Sequence, residues 1–120
     1  MNTFDWEEFL EQAERLVGQK GDVAAARSAI SRAYYAVFHE ASRQYVKQGE
    51  RLQLTGDDHT RVWEWFKREK SYAQFGVIGQ RLKRSRRKAD YEESFPGLST
   101  EAQSNVKLAR QLFDQLVALR

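Results

Sequence analysis

Five polar side chains recur at steps of three or four residues in the first half of the chain. They are Ser28, Arg32, Tyr35, His39 and Ser42. This spacing places side chains on one face of a helix, opposite the apolar face formed by neighbouring positions. An arginine can hold a phosphate through its planar guanidinium, and a histidine can act as general acid or base near neutral pH. The pattern indicates either a site that cleaves an RNA phosphodiester or an oligomer contact in which these side chains are hydrogen-bonded.

A basic run at residues 81–88 is the second candidate, because six of its eight side chains are Lys or Arg. Like charges at neighbouring helical positions repel by roughly a few tenths of a kcal/mol per pair. Binding to phosphates offsets that repulsion and releases counterions. We expect an RNA-binding surface formed by Arg81, Lys83, Arg84, Arg87 and Lys88. The alternative is a solvated face that is neutralised by acidic flanks.

The distribution of charge along the chain favours an acidic partner. The 120 residues carry a net charge of +3. Residues 51–90 hold 11 Lys and Arg against 5 Asp and Glu, which gives this segment a charge of +6 between two mildly acidic segments. A concentrated positive block of this kind is typical of proteins that bind a polyanion.

Composition excludes several classes of protein. Without Cys, the chain cannot form a disulfide, a thiolate zinc site or a cysteine nucleophile. One Pro and seven Gly are too few turn residues for a β-sandwich or barrel. The longest apolar run, residues 33–38, is too short to span a membrane, and the acidic start of the chain is unlike a signal peptide. We therefore expect one cytoplasmic domain over residues 1–120, with no metal and no cofactor.

Two weaker candidates lie between residues 57 and 66. His59 beside Asp57 and Asp58 resembles a metal-binding trio, but the preferred interpretation is a helix N-terminus capped by one of the aspartates. An aromatic cluster follows, for which stacking on bases is one interpretation and packing in the core is the preferred one. It consists of Trp63, Trp65 and Phe66.

Helical periodicity predicts the elements that carry all of these residues. The predicted helices cover residues 4–19, 22–49, a short segment around 62–66, 73–90, and a final stretch of about five turns. Asp22 is the predicted N-cap of the second helix, and a capping box from Thr100 to Gln103 is predicted to begin the last. No segment alternates with period two for long enough to form a strand. The sequence therefore predicts an all-α fold, an antiparallel up-and-down bundle of four long helices and one short helix.

Two blocks of the sequence resemble the HEPN family of helical domains. The first block lies within residues 27–41 and contains Ser31-Arg32-Ala33-Tyr34-Tyr35-Ala36-Val37-Phe38-His39. The second lies at 82–92 and contains Arg86-Arg87-Lys88-Ala89-Asp90-Tyr91-Glu92. The likeness is to small stand-alone HEPN proteins, which are often encoded beside a minimal nucleotidyltransferase. It extends over residues 4–119, and the first block is its more specific part.

The resemblance implies a helical bundle that works as a dimer and acts on RNA, commonly as the toxin ribonuclease of a toxin–antitoxin or phage-defence pair. Active members carry an Arg-x4–6-His motif in a late helix. Arg86 matches the arginine of that motif, but Tyr91 stands where the histidine is expected. A phenol ionises only in strongly alkaline solution, so it differs from an imidazole as an acid or base. A literal Arg-x6-His occurs at Arg32 and His39, on the second helix.

Two functions stay open on these grounds. In the first, the chain is a homodimeric, toxin-like ribonuclease in which a ribose 2′-hydroxyl attacks the phosphate without a metal. His39 then serves as base or acid, Arg32 and Arg86 hold the phosphate, and Tyr91 donates a hydrogen bond. In the second, the chain is a catalytically inactive module. The polar face of its second helix forms a dimer or cleft face, and the chain binds a nucleotidyltransferase-type or other protein partner.

Overall fold

The longest helix, α2 (Val23–Lys47), packs against each of the other helices. The structure is a computed structural model that describes residues 3–120. Its other helices are α1 (Glu7–Val17), α3 (Asp57–Arg68), α4 (Ala73–Tyr91) and α5 (Leu98–Val117), with a 3-10 turn (Lys70–Tyr72) before α4. No strand occurs between residues 3 and 120, so the all-α prediction is confirmed. Within the same range, no helix has both the length and the apolar composition needed to cross a bilayer.

Two of these helices are short, where the sequence predicted one. α1 has 11 residues and α3 has 12, against 25, 19 and 20 for α2, α4 and α5. α1 begins at Glu7 instead of residue 4, and the aromatic rings around its start pack edge to face on one another. The ring centroids of Phe4 and Trp6 are 4.8 Å apart, and those of Trp6 and Phe9 are 5.1 Å apart. This aromatic cluster at the start of α1 contacts α2.

The helix starts show one confirmed cap and one wrong one. Asp22 accepts a hydrogen bond from the Ala25 backbone N–H at 2.9 Å, as predicted for the N-cap of α2. The capping box predicted from Thr100 to Gln103 is wrong, because both residues lie inside α5. Gly97, with φ of 73°, turns the chain into the helix before Thr100 is reached.

Small residues on α2 allow the other helices to approach it closely. Ala29, Ala33, Ala36 and Ala41 are each fully buried or nearly so. Large side chains from the surrounding helices fill the space that these residues leave. They include Leu10, Trp63, Phe66, Leu112, Phe113 and Leu116. Trp63 and Phe66 are therefore core residues, which confirms the preferred interpretation and removes both from any contact with bases.

A close contact between α3 and α4 depends on two glycines of α4. A Cβ at Gly79 would overlap the Trp63 ring, and a Cβ at Gly76 would overlap the Trp63 carbonyl and Lys67. Because glycine has no side chain, α4 can lie directly against Trp63. This contact brings the basic run of α4 next to the N-terminal half of α3.

Candidate functional site

A groove between α3 and α4 collects the cations and titratable groups of the candidate site. We call it the α3–α4 groove. Its polar lining consists of Tyr35, Asp57, His59, Thr60, Lys83, Arg86, Arg87 and Tyr91. Arg86 and Tyr91, two of the four predicted catalytic residues, thus lie in one groove together with Lys83 and Arg87 of the predicted RNA-binding set. Asp57 is the single carboxylate of this lining, and its Oδ2 lies 3.9 Å from Nη2 of Arg61, on the same helix.

Arg86 is the most deeply placed cation of the groove, with only 8% of its surface exposed. Its guanidinium carbon lies 5.4 Å from the ring centroid of Tyr34 and 5.5 Å from that of Tyr35, which is within the range of a cation–π interaction. Nη1 lies 3.6 Å from Oδ2 of Asp90, one turn further along α4. Within residues 3–120, its buried Nε has no hydrogen-bond partner. The guanidinium is therefore held in place without being fully satisfied by the protein.

His59 forms the wall of the groove opposite α4, and its ring is fixed on two sides. Nδ1 lies 2.7 Å from the Tyr34 hydroxyl, which in turn accepts a hydrogen bond from Trp63 Nε1 at 3.0 Å. The Phe38 ring stacks on the imidazole with centroids 3.9 Å apart. Burial, followed by the positive charges of Arg86 and Lys83, lowers the pKa of His59 to about 4. The imidazole is therefore neutral at pH 7.

Lys83, which belongs to the basic run of α4, lines the groove. Its Nζ donates a hydrogen bond to Thr60 Oγ1 at 3.1 Å. Burial, together with the neighbouring charges of Arg87 and Arg86, lowers the pKa of Lys83 from its ordinary value. The part of this shift that comes from the two arginines shows that positive charges lie close together here. The groove therefore favours an anion.

The basic run divides into two faces of α4. Lys83, Arg86 and Arg87 line the groove, whereas the remaining cations are exposed elsewhere on the helix. These are Arg81, Arg84 and Lys88. Lys88 lies with its Nζ 4.7 Å from the Phe95 ring centroid. The predicted RNA-binding residues therefore lie on two different faces of α4, because successive residues of a helix are rotated by about 100°.

Arg27 fixes the end of α4 against α2. Its guanidinium donates hydrogen bonds to the carbonyl oxygens of Ala89 at 2.9 Å, Glu92 at 2.6 Å and Glu93 at 2.8 Å. These acceptors lie at the C-terminus of a helix, where carbonyl groups lack partners within the helix. Arg27 therefore positions the turn of α4 that carries Tyr91. Sequence reasoning had not assigned it a role.

A second groove lies beside the first, between α2 and the end of α4, and we call it the α2–α4 groove. Its lining includes Ser28, Arg32, Tyr35 and Asp90, so Tyr35 belongs to both grooves. Arg32 is exposed, and its guanidinium carbon lies 4.5 Å from the Phe9 ring centroid. Arg32 and Arg86 thus line neighbouring grooves on either side of Tyr35.

Neither groove includes His39 or Ser42, although both belong to the predicted polar face of α2. His39 stacks on Trp6 with ring centroids 3.5 Å apart, and burial lowers its pKa. Ser42 is only 4% exposed, and its hydroxyl donates to the Phe38 carbonyl at 2.8 Å. Trp6 of the aromatic cluster covers His39, which the spacing of residues within α2 could not indicate.

The expectation of an aspartate cap on α3 is wrong. The cap position is Gly56, and the Asp58 carboxylate instead accepts hydrogen bonds from the backbone N–H groups of the preceding loop. The donors are Gln53 at 3.0 Å, Leu54 at 2.7 Å and Thr55 at 3.3 Å. Asp58 therefore folds that loop back onto α3, which leaves His59 beside the groove. In the described part of the chain, no three acidic or histidine side chains are grouped to hold a metal ion.

His59 is the groove residue that sequence reasoning did not connect with phosphate. Its partner Tyr34 lies 25 positions earlier in the chain, and no spacing rule links the two.

Comparisons with protein-family models, with curated proteins and with solved structures found no match to this chain.

Proposed function

We propose that this chain is an RNA-binding protein of the HEPN type and that its α3–α4 groove holds the phosphodiester backbone. The observation that carries the proposal is the convergence of three cations on one groove, Lys83, Arg86 and Arg87. Arginine can bind a phosphate through two parallel N–H donors, and lysine supplies a point charge. A groove with this lining suits a chain of phosphates better than a neutral ligand.

The repulsion among the positive charges that line the groove favours a polyanionic ligand. Burial is the largest cause of the lowered pKa of Lys83, and the charges of Arg87 and Arg86 lower it further. The lining holds these three cations against the single carboxylate of Asp57, so its net charge is positive. Asp90, which contacts Arg86, lies outside this lining. Bound phosphates relieve this repulsion and release condensed counterions, which makes the affinity depend strongly on salt.

Two tyrosines favour single-stranded RNA over a small anion. Tyr35 and Tyr91 line the groove beside the cations, and the side chain of Tyr91 is 76% exposed. An aromatic ring next to a phosphate-binding cation can stack on an unpaired base, which contributes about 1–3 kcal/mol per base. The combination of stacking rings and a basic groove is typical of single-strand recognition.

The geometry supports binding of RNA more directly than cleavage by the residues first suggested by spacing. His39 stacks on Trp6, and neither groove includes it. Arg32 lines the second groove, and Tyr91 replaces the histidine expected near Arg86. We therefore propose contact with RNA as the primary activity, within the toxin–antitoxin or phage-defence setting that the HEPN resemblance implies.

The resemblance also leads us to propose a cytoplasmic homodimer with a nucleotidyltransferase-type protein as its neighbour-encoded partner. The α2–α4 groove is adjacent to the α3–α4 groove through Tyr35. A two-fold contact through the exposed side chains of Ser28 and Arg32 would therefore bring two basic grooves near one axis. An isologous contact of this kind is the commonest form of dimer.

The test is the affinity for a fluorescent single-stranded RNA, measured by anisotropy, for two charge-matched double variants. Lys83→Gln/Arg87→Gln removes two cations of the groove. Arg81→Gln/Arg84→Gln removes two cations of the same helix outside it. We expect the first variant to lose about tenfold or more in affinity and the second to lose much less. Equal losses would show that total charge, and not the groove, determines binding.

The second candidate is a protein-interaction module without RNA affinity, and the lining of the α2–α4 groove favours it. Ala24, Ser28 and Ser31 are small side chains between the charges of Arg32 and Asp90. Small side chains allow another chain to approach closely, and the flanking charges can pair with it. Light scattering of Ser28→Arg against the wild type tests whether this surface forms a dimer. Absence of RNA binding at low salt, with tight binding to a neighbour-encoded protein, would favour this second function.

A further inference from the structure

We infer that His59 contacts the RNA phosphate in the α3–α4 groove as a neutral hydrogen-bond donor, fixed in the Nε2–H tautomer by Tyr34. The inference deepens the proposed function and rests on it. It assigns a binding role to a residue that lies outside both HEPN-like blocks. It also separates phosphate recognition in this groove from acid–base chemistry.

The hydrogen bonds of the Tyr34 hydroxyl determine the tautomer of His59. Indole Nε1–H of Trp63 can only donate, so the Tyr34 hydroxyl oxygen accepts from it at 3.0 Å. Tyr34 is 1% exposed, and among residues 3–120 the other partner of its hydroxyl is Nδ1 of His59, at 2.7 Å. The Tyr34 proton therefore points to Nδ1, because a buried donor left without an acceptor costs about 1–3 kcal/mol. A neutral imidazole that accepts at Nδ1 carries its proton on Nε2.

Nε2 is the ring nitrogen left for the groove. His59 is one of the groove-lining residues, and among residues 3–120 the one hydrogen bond of its ring is made by Nδ1. The Phe38 ring stacks at 3.9 Å with an interplanar angle of 15°, so the imidazole has little freedom to turn over. A bound phosphate oxygen would meet this N–H on one side and the cations of α4 on the other.

Burial and the charged groups of α2 and α4 oppose a second proton on His59. On α4, Arg86 and Lys83 disfavour an imidazolium, and on α2 the charge of His39 acts in the same direction. Asp58 on α3 is the one carboxylate that acts in the opposite direction, and burial is the largest cause of the lowered pKa. In addition, a proton on Nδ1 would meet the hydroxyl proton of Tyr34 head-on. In the protein without ligand the imidazole is therefore neutral at pH 7, and a bound phosphate has to act against all of these causes to protonate it.

A neutral donor has a recognisable consequence for the dependence of binding on pH. An imidazole that binds as a cation makes RNA affinity rise as the pH falls through its pKa. A neutral Nε2–H contributes equally across that range. For the same reason it neither takes the proton of a ribose 2′-hydroxyl nor supplies one to a leaving oxygen.

The first measurement uses the wild-type protein without RNA. Long-range proton–nitrogen NMR spectra distinguish the two neutral tautomers and the cation of each histidine, and His39→Gln assigns the two sets of signals. We expect His59 to be in the Nε2–H form from about pH 5 to pH 8. Added inorganic phosphate is expected to shift the His59 Nε2 resonance. A protonated or Nδ1–H form at neutral pH would overturn the inference.

The second measurement compares two substitutions of His59 in RNA binding. The amide of His59→Gln can supply a neutral N–H, whereas His59→Phe keeps the stacking on Phe38 and has no donor. We expect His59→Phe to lose about tenfold in affinity and His59→Gln to recover a large part of it. The pH profiles of the wild type and of His59→Gln should be parallel between about pH 5 and pH 8. A wild type that gains affinity at low pH while His59→Gln does not would overturn the inference.

Failure of the inference and failure of the proposed function give different results. Wild-type protein that binds no RNA at low salt contradicts the proposed function, whatever the tautomer of His59. RNA binding that is lost in Lys83→Gln/Arg87→Gln but is unchanged in His59→Phe supports the function and overturns the role of His59. Tyr34→Phe provides a further check. It removes the hydroxyl that donates to Nδ1 of the neutral imidazole, so the pKa of His59 should rise.

Discussion

Gly79 of α4 lies directly against the indole ring of Trp63, so closely that a single added methyl group would overlap the ring. The Trp63 Nε1 donates to Tyr34, and Tyr34 contacts His59. A packing contact in the core is therefore connected, through two hydrogen bonds, to the wall of the α3–α4 groove.

Gly79→Ala is expected to destabilise the protein by about 1–3 kcal/mol, because the added methyl group overpacks a core in which Trp63 is fully buried. It should also displace the hydrogen-bonded chain that ends at His59. The change in the free energy of unfolding can be measured by urea denaturation. Gly18→Ala is the matched control, since a Cβ there would lie 3.4 Å from the Arg15 carbonyl oxygen. Equal effects of the two substitutions would contradict the packing argument.

Stability is expected to decrease as the pH falls from about 6.5 towards 4. The pKa of His59 is about 4 in the folded protein against about 6.5 for an unperturbed histidine, so the unfolded chain binds more protons in this window. We expect a loss of roughly 1–2 kcal/mol, reduced from the full linkage value because the ring is partly exposed to solvent. His59→Gln should flatten the part of the profile due to this residue. An unchanged slope in that variant would locate the acid sensitivity elsewhere.

The dependence of RNA affinity on salt should report how many phosphates the groove contacts. The slope of the logarithm of affinity against the logarithm of salt concentration falls by about one for each phosphate contact removed. We expect Lys83→Gln/Arg87→Gln to reduce the slope by about two and Arg81→Gln/Arg84→Gln to reduce it by less than one. Binding titrations at several salt concentrations measure these slopes. If the second pair changes the slope more than the first, the RNA lies on the other face of α4.

Arg120→Ala should destabilise the fold, because Glu40 is only 3% exposed and its carboxylate accepts from Arg120 Nη2 at 2.5 Å. The expected loss is about 1–2 kcal/mol, since Arg120 is itself half-exposed and Arg43 remains within 3.3 Å of Glu40. Thermal or urea unfolding measures it. Arg68→Ala, at an exposed position of α3, is the control and should change stability by less than about 0.5 kcal/mol.

The local features of the fold were predictable where they depend on residues near one another in the chain. The predicted helix at 73–90 agrees with Ala73–Tyr91, and Asp22 caps α2 as its type and position indicate. The start of α5 was mispredicted because the capping-box pattern at Thr100 also fits the interior of a helix. The backbone at Gly97 decides where that helix begins.

The candidate site was predictable only in part, because it depends on contacts between residues that are far apart in the chain. The basic run of α4 was evident from composition, but its division into a groove face and an outer face depends on which side α3 covers. The pairing of Arg32 with His39 satisfied helical spacing, yet Trp6, just before α1, stacks on His39, whereas Arg32 stays exposed beside Phe9. Spacing within one helix cannot indicate which neighbour packs on it.

The sequence by itself therefore determined the helical class, the surplus of positive charge and the segment that carries it. These properties depend on residue types and on a period of 3.6 residues, both of which are local. The tertiary structure alone decided that His59, Tyr34 and Arg86 meet at one groove and that His39 does not. That outcome depends on the approach of α4 to Trp63, which the missing side chain of Gly79 permits, and on the burial that keeps His59 neutral beside two cations.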